Sequence, residues 1–453
     1  MPEDNRAKLK QMLESGEIRL EPLTYPQREL WEAAPRPVGD VANHICSFVQ
    51  VRGKIPPKEC EAALVRVIER QEALRLSFLP AKGTAVQMIR ATGGAKPPFA
   101  YRELTAAEAE PAALEEVMRE IFLRPFDLLG GPLYRLELLQ LGPREQALVL
   151  AMHHSISDGW TIGVFVQDLV NAYLHGIKGG KKPMPAIAMT YSAWGAAERA
   201  IWTAAELETR GNFWRKYLAG APRLWSPEAP PAPLSGPMQR WVTEIPADQA
   251  ASIRKLAKRT GATLFSTLLA AFQSALAEWT GVRDIVVGSP VANRTKLAAN
   301  ETMGYFAGVV PIRGRVDPGL SAEERIKAAH ESTVDAFSNA MPFVEIARAL
   351  GETPATVRNP LFDVRFALQN HPVPDVSLPG LSFKLRMRST GTTRFDLACE
   401  ITEDGKALEV VWLYEPTIFS RKQSDELDRI YRAYLAQLTG APKAQPFAFS
   451  GKS

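Results

Sequence analysis

The chain contains little that would indicate a disulfide-stapled or nucleic-acid-binding protein. Its three cysteines (Cys46, Cys60 and Cys399) are too few and too scattered for a disulfide framework or a cysteine-rich metal site. Lys and Arg number 54 against 50 Asp and Glu, and the net charge of +4 is spread along the chain rather than gathered in a basic block. We therefore expect a cytoplasmic protein with no nucleic-acid partner.

Long apolar runs are also missing. The longest uncharged stretch, residues 261–277, contains Thr, Ser and Gln side chains and is slightly short for a membrane span, so it is typical of a buried helix. The first twenty residues are dense in charge and include no apolar stretch of the signal-peptide type. These absences predict no membrane partner.

What is present is ordinary globular composition, with 46% hydrophobic and 23% charged residues in a chain of 453. At roughly 100–200 residues per domain, this length predicts two large lobes. We place the lobes at residues 1–178 and 179–453, with a Gly- and Lys-rich linker at 179–183 and a second, Pro-rich break at 227–237.

Patterns typical of helices and strands alternate along the chain, which predicts a mixed α/β fold. Thr161 is a candidate cap for a helix that runs to a stop at His175 and Gly176. The other predicted elements are helices at 61–71, 249–256 and 264–279, a strand pair at 133–140 and 147–152 joined by a turn at 141–143, a buried strand at 284–288, and a further strand pair at 362–368 and 397–402.

One segment stands out chemically: residues 151–160 read AMHHSISDGW. His153 and His154 close a predicted strand, and Asp158 and Gly159 precede a predicted helix. Because neighbouring strand residues point to opposite faces, the two imidazoles should not share one ligand. We expect one of them to face a cleft and the other to face packing.

Three interpretations compete at this point. A metal site fits the residue types, but the two histidines diverge and none of His44, His175, His330 and His371 shows ligand spacing with them. A serine hydrolase would use Ser155 or Ser157, yet the chain contains no Gly-x-Ser-x-Gly nucleophile elbow. The third interpretation is a buried, hydrogen-bonded histidine pair without a catalytic role.

Residues 153–160 resemble the HHxxxDG signature of the condensation domains of nonribosomal peptide synthetases, which belong to the chloramphenicol acetyltransferase-like superfamily. Further segments are similar to other motifs of that family and occur in the family's order, so that the resemblance covers most of the chain. They lie at 23–31 (LTYPQRELW), 70–78 (RQEALRLSF), 191–194 (YSAW), 288–294 (GSPVANR), 303–306 (MGYF), 357–362 (VRNPLF) and 394–397 (RFDL).

The resemblance implies a pseudo-dimer of two lobes, each an α+β two-layer sandwich, in a V with a central tunnel. It places His154 at the reacting centre, where it deprotonates or positions an amine, with His153 as its neighbour in the catalytic motif. Gly159 would allow a tight turn and direct its amide at the reacting carbonyl. Asp158 would be structural and pair with an arginine, which we match to Arg294.

The same resemblance implies amide-bond formation between a carrier-bound acyl or peptidyl thioester and an amine. It implies no metal and no cofactor bound by the domain itself. The substrates would arrive on the 4'-phosphopantetheine arms of donor and acceptor carrier proteins, and we expect a monomer. The chain carries no carrier-protein serine in a Gly-Gly-x-Ser context, so we expect those carriers to come from elsewhere.

The chain departs from the family pattern after 303–306, where Gly308 and Val309 replace a usual Asn-Thr. That difference leaves the acceptor open. An acyltransferase that makes an ester, or an amide on a soluble acceptor, from a carrier-bound or CoA thioester is one alternative. A non-catalytic module that recruits carrier proteins is another.

Overall fold

The computed structural model describes residues 3–33, 41–81, 84–93, 96–179, 184–225, 238–294, 298–352, 359–369, 376–378, 380–388 and 395–439. The predicted Pro-rich break at 227–237 lies outside these residues, as does the predicted linker apart from its first residue. Residues 357, 358 and 394 of the two last motifs also lie outside them.

Helices and strands alternate along the described chain. The helices are α1 (Glu3–Glu14), α2 (Tyr25–Ala33), α3 (Pro57–Arg70), α4 (Pro111–Leu123), α5 (Gly159–Ile177), α6 (Tyr191–Ile201), α7 (Ala204–Tyr217), α8 (Ala247–Thr260), α9 (Leu264–Thr280), α10 (Ala322–Ser338), α11 (Phe343–Ala349) and α12 (Arg421–Leu438). The strands are β1 (Ile18–Pro22), β2 (His44–Arg52), β3 (Leu76–Ala81), β4 (Thr84–Arg90), β5 (Phe99–Glu103), β6 (Tyr134–Gly142), β7 (Glu145–His153), β8 (Gln239–Ile245), β9 (Asp284–Val291), β10 (Gly308–Arg315), β11 (Val364–Gln369), β12 (Val376–Leu378), β13 (Leu381–Arg388), β14 (Leu397–Asp404) and β15 (Ala407–Tyr414).

The described strands form two mixed sheets and one small antiparallel sheet, and together with the helices they confirm the predicted α/β class. One six-stranded sheet has the order β12-β13-β2-β7-β6-β5, and another has the order β10-β9-β11-β14-β15-β8. A small sheet pairs β4 with β1 and β3. The predicted strand pairs are both present: β6 and β7 are antiparallel neighbours, and β11 and β14 are parallel neighbours.

The chain divides into two compact units. The first unit comprises Met1–Trp202, Ala292–Ala307 and His371–Thr390, and the second comprises Thr203–Val291, Gly308–Asn370 and Gly391–Ser453. The first unit includes a late segment because β13 pairs with β2 in its sheet. The predicted division at residue 178 does not include the late segments of the first unit. The assignment of the two lobes to 1–178 and 179–453 stays a prediction.

In the first unit the sheet centres on β7. Eight of its nine residues are buried, with the strand between β2 and β6. Residues 147–152 are apolar without alternation, as a strand covered on both faces requires. Helix α3 confirms the helix predicted at 61–71 and packs against α5, which follows β7 in the chain.

In the second unit the buried helix is α9, in which residues 266–277 are all buried. This confirms the helix predicted from the uncharged run. The Phe272 ring stacks on Phe366 with ring centroids 4.9 Å apart, and it also contacts the Trp412 and Tyr431 rings. No single helix in the described ranges is both long and apolar enough to cross a membrane; α8 and α9 reach that length together, with a bend of 104° between them.

Candidate active site

The two adjacent histidines lie at the carboxyl end of strand β7. His153 is the last residue of β7, and His154 begins a short 3-10 turn, His154–Ile156. The neighbouring strand places His44 opposite His153 in the ladder. The site therefore begins where the buried centre of the first unit's sheet opens into a loop.

The His153 side chain is buried and faces packing. Its Nδ1 accepts a hydrogen bond from the Ser155 backbone N–H at 3.1 Å, so that nitrogen carries no proton. The Ser155 hydroxyl lies 2.7 Å from the same atom and therefore donates to it. The ring has edge-on contacts with Phe126 and with His44. The position of His44 in the sequence does not indicate that it lies beside His153.

The His154 side chain is half-buried and has different neighbours from His153. The sequence predicts both histidines at the end of a strand, but His154 lies in the 3-10 turn, so the turn and not strand alternation separates the two imidazoles. Its Nδ1 lies 2.8 Å from the Ser157 carbonyl oxygen. A carbonyl can only accept, so Nδ1 must carry the proton, and in the neutral ring Nε2 then holds the lone pair. The turn thus orients His154 with a basic nitrogen at Nε2. The Tyr305 ring lies beside it, with ring centroids 4.4 Å apart.

The next element, α5, begins earlier than a cap at Thr161 would require. Asp158 has extended backbone angles and is the N-cap, and its Oδ1 accepts from the Thr161 N–H at 2.8 Å. The predicted capping role of Thr161 is wrong, because Thr161 already lies in the first turn. Gly159 is the first helical residue, and its φ is not positive. The turn there therefore does not need glycine's left-handed freedom.

Asp158 also pairs with Arg294, the arginine that the family resemblance implied as its partner. Arg294 Nη2 donates to Asp158 Oδ1 at 2.7 Å and to Thr161 Oγ1 at 2.9 Å. Both ionic side chains are buried, and Arg294 is 0% exposed. Burial lowers the pKa of the Arg294 guanidinium, and the facing carboxylate opposes that shift. The Phe306 ring centroid lies 3.8 Å from Arg294 Cζ and supplies a cation–π contact.

This ionic pair holds the segment that carries Tyr305. The Phe306 N–H donates to Asp158 Oδ2 at 3.1 Å, and the Gly304 N–H donates to Thr161 Oγ1 at 3.1 Å. Arg294 Nη1 donates to the Thr302 carbonyl at 2.6 Å. Asp158, Thr161 and Arg294 therefore fasten residues 302–306 to the start of α5 and so bring the Tyr305 ring to His154. The sequence motif at 303–306 contains Tyr305, but nothing in the sequence assigns that residue to the site.

Helix α2 supports the histidine turn from another direction. Gln27 Nε2 donates to the Ser155 carbonyl at 3.0 Å. The beginning of α2 is held by α6, since the Tyr25 N–H donates to Glu198 Oε2 at 3.1 Å and the Thr24 hydroxyl lies 2.9 Å from the Tyr191 hydroxyl. Burial raises the pKa of the Glu198 carboxyl from an ordinary 4.5 to about 8, although the Tyr25 N–H and Arg199 oppose the shift.

Substitution of Glu198 should make the stability of the protein less dependent on pH. A carboxyl whose folded pKa exceeds its unfolded pKa stabilises the fold below about pH 4.5, and that stability is lost as the pH rises through 8. Glu198→Gln stays neutral and keeps an oxygen for the Tyr25 N–H. As the pH rises from 5 to 8, we expect the unfolding free energy of Glu198→Gln to increase by about 2–4 kcal/mol relative to that of the wild type. Denaturant titrations across this range measure the difference.

The control for that comparison is Glu120→Gln, because Glu120 is exposed on α4. Its pH profile should parallel that of the wild type. A Glu198→Gln profile that also runs parallel to the wild type would show that the carboxyl is ionised in the folded protein near neutral pH.

Within the described ranges, no group of three or more His, Cys, Asp and Glu side chains has an arrangement that could hold a metal ion. His44 and His153 come within 6.1 Å of each other by ring centroid. The His44 Nδ1, however, lies 2.7 Å from the Phe122 carbonyl, and the His153 Nδ1 is occupied by Ser155. Each Nδ1 atom is therefore engaged in a hydrogen bond to another residue, and the two rings meet only edge-on.

Comparison with known proteins agrees with the site's motif. A family model described as the condensation domain matches residues 20–446. A linear gramicidin synthase of Brevibacillus parabrevis is 29% identical over 93% of this chain, and phosphinothricin tripeptide synthetase PhsC of Streptomyces viridochromogenes is 29% identical over 90%. The chain spans 8% of the first relative and 38% of the second.

Solved structures share the fold. The condensation domain of monacolin K polyketide synthase superposes with a TM-score of 0.81 at 20% identity and covers 94% of this chain and 98% of its own. The X-domain of teicoplanin biosynthesis, solved in complex with OxyB, gives a TM-score of 0.77 at 23% identity over 92% of each chain. Because the family model matches nearly the whole chain, the chain belongs to the condensation domain family.

Proposed function

We propose that this chain joins an acyl or peptidyl group, held as a thioester on a carrier protein, to an amine and so forms an amide bond. The observation that carries the proposal is the hydrogen bond from His154 Nδ1 to the Ser157 carbonyl, which places the basic lone pair of the neutral ring on Nε2. Membership of the condensation domain family and the similarity to peptide synthetases support the same reaction.

The chemistry asks little of the protein beyond positioning. An α-amine with a pKa near 8 is a competent nucleophile once it is neutral, and a thioester is an activated acyl group. Attack forms the C–N bond, and collapse of the tetrahedral intermediate breaks the C–S bond. The proton leaves the amine nitrogen and ends on the departing thiolate. Alignment of the two reactants can supply several kcal/mol of the barrier reduction.

His154 is the residue we propose to handle that proton. Its Nε2 accepts a hydrogen bond from the attacking amine, takes the proton as the nitrogen becomes positively charged, and returns it to sulfur. The Tyr305 ring, with its centroid 4.4 Å from that of the imidazole, limits where the imidazole can move. His153, buried against Phe126 and bonded to Ser155, holds the end of β7 and takes no part in proton transfer.

Gly159 and the start of α5 are proposed to stabilise the developing oxyanion. The first N–H groups of a helix have no acceptor within the helix, and the helix dipole favours negative charge there. The Asp158 carboxylate accepts hydrogen bonds from the Thr161 N–H and from Arg294. It therefore does not compete with the oxyanion for the Gly159 N–H. The Gly159 amide then lies at the helix end nearest to the histidine turn.

The partners of the reaction are proposed to be a donor and an acceptor carrier protein, each presenting its substrate on 4'-phosphopantetheine. The domain itself would bind no cofactor and would work as a monomer in the cytoplasm. These features follow from the family, whose two synthetases named above are far longer than this chain.

The experiment that tests the reaction measures thiol release from an acyl-loaded carrier protein in the presence of pooled amine and alcohol acceptors. Mass spectrometry then identifies the product. We expect an amide, formed by the wild-type chain and not by the carrier alone. An ester product would contradict the proposal and indicate an acyltransferase that uses an alcohol acceptor. Carrier binding without thiol release would indicate a recruitment module.

A further inference from the structure

The backbone carbonyl of Tyr305 is held by a side chain that the reaction proposed above does not use. The hydroxyl of Tyr191, the first residue of α6, donates to that carbonyl at 2.8 Å. Tyr191 is fully buried, and its ring makes an edge-on contact with Phe306. Because the Tyr305 ring lies beside His154, Tyr191 holds the piece of backbone from which that ring projects.

The Tyr191 ring packs directly against the backbone of the same segment. A Cβ atom built on Gly304 would collide with this ring, so a larger residue at 304 would displace it. Burial raises the pKa of the Tyr191 hydroxyl well above its ordinary value of 10.0, so the hydroxyl keeps the proton that it donates. Close packing and burial therefore make Tyr191 a fixed donor to this segment.

The same hydroxyl is also joined to the beginning of α2. It lies 2.9 Å from the Thr24 hydroxyl. Because the one proton of the Tyr191 hydroxyl is given to the Tyr305 carbonyl, Thr24 donates and the Tyr191 oxygen accepts. The Tyr191 hydroxyl thus makes two buried hydrogen bonds, to two segments that are far apart in the sequence.

From Thr24 the hydrogen bonds continue to the turn that carries His154. Gln27 Oε1 accepts from the Thr24 N–H at 3.1 Å, and the Gln27 N–H donates to Thr24 Oγ1 at 3.3 Å, which is the reciprocal pattern of a capping box. The Gln27 Nε2 then donates to the carbonyl of Ser155, the residue after His154. Both neighbours of the imidazole, the turn and the aromatic ring beside it, are therefore connected to the Tyr191 hydroxyl.

We propose that Tyr191 is a positioning residue whose hydroxyl fixes the spacing between the Tyr305 ring and the His154 imidazole. It binds the Tyr305 carbonyl directly and reaches the histidine turn through Thr24 and Gln27. Its effect on amide formation rests on the proton transfer proposed above for His154. The spacing of the two rings, in contrast, is a property of the protein without substrate and can be measured without turnover.

NMR of the full chain, labelled at the histidine ring carbons, tests the spacing first. The His154 Hε1 resonance is assigned by its loss in His154→Asn, and Tyr305→Leu defines its position without the neighbouring aromatic ring. Tyr191→Phe removes only the hydroxyl. We expect it to move the His154 resonance from its wild-type position toward the Tyr305→Leu position. The resonance of His175, in the last turn of α5, should stay in place.

Initial rates over a range of amine concentrations, with an acyl-loaded carrier as donor, test the consequence for the reaction. Tyr191→Phe should lower kcat about threefold to tenfold with a nearly unchanged KM, because a hydrogen bond that orients the site is lost. Thr24→Val breaks the same connection from the side of α2 and should have a similar effect. Thr24→Ser keeps the hydroxyl and should retain the wild-type rate.

The matched control for both measurements is Tyr217→Phe, which also removes a hydrogen-bonded tyrosine hydroxyl. Tyr217 lies in the second unit. Its hydroxyl accepts from the Arg313 N–H at 2.9 Å and lies 2.6 Å from the Ser332 hydroxyl. This variant should lose about as much stability as Tyr191→Phe, whereas the His154 resonance and kcat should keep their wild-type values.

An unmoved His154 resonance in Tyr191→Phe overturns the proposal, and so does an equal movement in Tyr217→Phe. A moved resonance with a wild-type kcat overturns the role of Tyr191 in the reaction. If the wild type forms no amide, the proposed function fails, but the NMR comparison still decides whether Tyr191 sets the spacing of the rings. The comparison of Thr24→Val with Thr24→Ser is a second test should Tyr191→Phe fold poorly.

Discussion

Replacement of His154 by alanine is expected to lower the rate of amide formation by about 10²–10⁴ and to leave folding intact. The magnitude follows from losing one proton acceptor while the alignment of the substrates is kept. The side chain is half-buried and lies in a turn rather than in the core, so its removal leaves no large enclosed cavity. Single-turnover rates with an acyl-loaded carrier and a saturating amine measure the effect.

His154→Asn separates proton transfer from positioning. An asparagine amide can donate to the Ser157 carbonyl as His154 Nδ1 does, but it has no counterpart of the Nε2 lone pair. We therefore expect the asparagine variant to be as slow as the alanine variant. Wild-type activity in either would refute the assignment of His154 as the proton acceptor. His175→Gln, in the last turn of α5, is the control and should retain full activity.

Breaking the Asp158–Arg294 pair should cost about 3–5 kcal/mol of unfolding free energy, because a buried charge is then left without its partner. Asp158→Ala also removes the N-cap of α5, which contributes about 1 kcal/mol. Asp158→Asn keeps a capping oxygen but not the negative charge, so it isolates the ionic part of the loss. Denaturant titration or thermal melting measures both variants against the wild type.

The exposed pair Arg421–Asp425 is the control for that measurement, since its side chains are 58% and 49% exposed. Arg421→Met should change stability by less than about 1 kcal/mol. A double variant, Asp158→Ala with Arg294→Met, should be less destabilised than the sum of the single variants, because it leaves neither charge unpaired. Strict additivity would show that the two charges do not depend on each other.

Activity distinguishes positioning by this pair from mere stability. Asp158 and Arg294 act on the site through residues 302–306, which place the Tyr305 ring beside His154. At a temperature where Asp158→Asn remains folded, we expect a lower kcat with a nearly unchanged KM, because the imidazole is less well held. An unchanged kcat would confine the pair to stability.

Local patterns predict the elements around the site well. The apolar residues 147–152 and the turn after 140 indicate β6 and β7, and the helical period at 61–71 indicates α3. These elements are set by side-chain periodicity and by residues close together in the chain. The cap of α5 is harder to predict, because Asp158 and Thr161 are both good capping residues and backbone angles distinguish them.

The architecture of the first unit depends on partners that are remote in sequence. Strand β13, near residue 385, pairs with β2, near residue 48, and residues 292–307 join the same unit. Neither association has a local signature, since hydrogen-bond pairing across a sheet depends on which strand edges meet. A boundary drawn from composition at residue 178 therefore could not include these segments.

Neighbouring residues are enough to establish the α/β class, the strand–turn–helix that carries His153, His154 and Asp158, and, through the motifs, the family. The family resemblance also implies the pairing of Arg294 with Asp158, but the geometry of that pair and the position of Tyr305 follow from long-range packing. Arg294 reaches Asp158 across 136 positions, and the contact that brings Tyr305 beside His154 depends on hydrogen bonds made by that pair. Such contacts arise because a buried charge must find its counter-ion, and no local pattern contains that information.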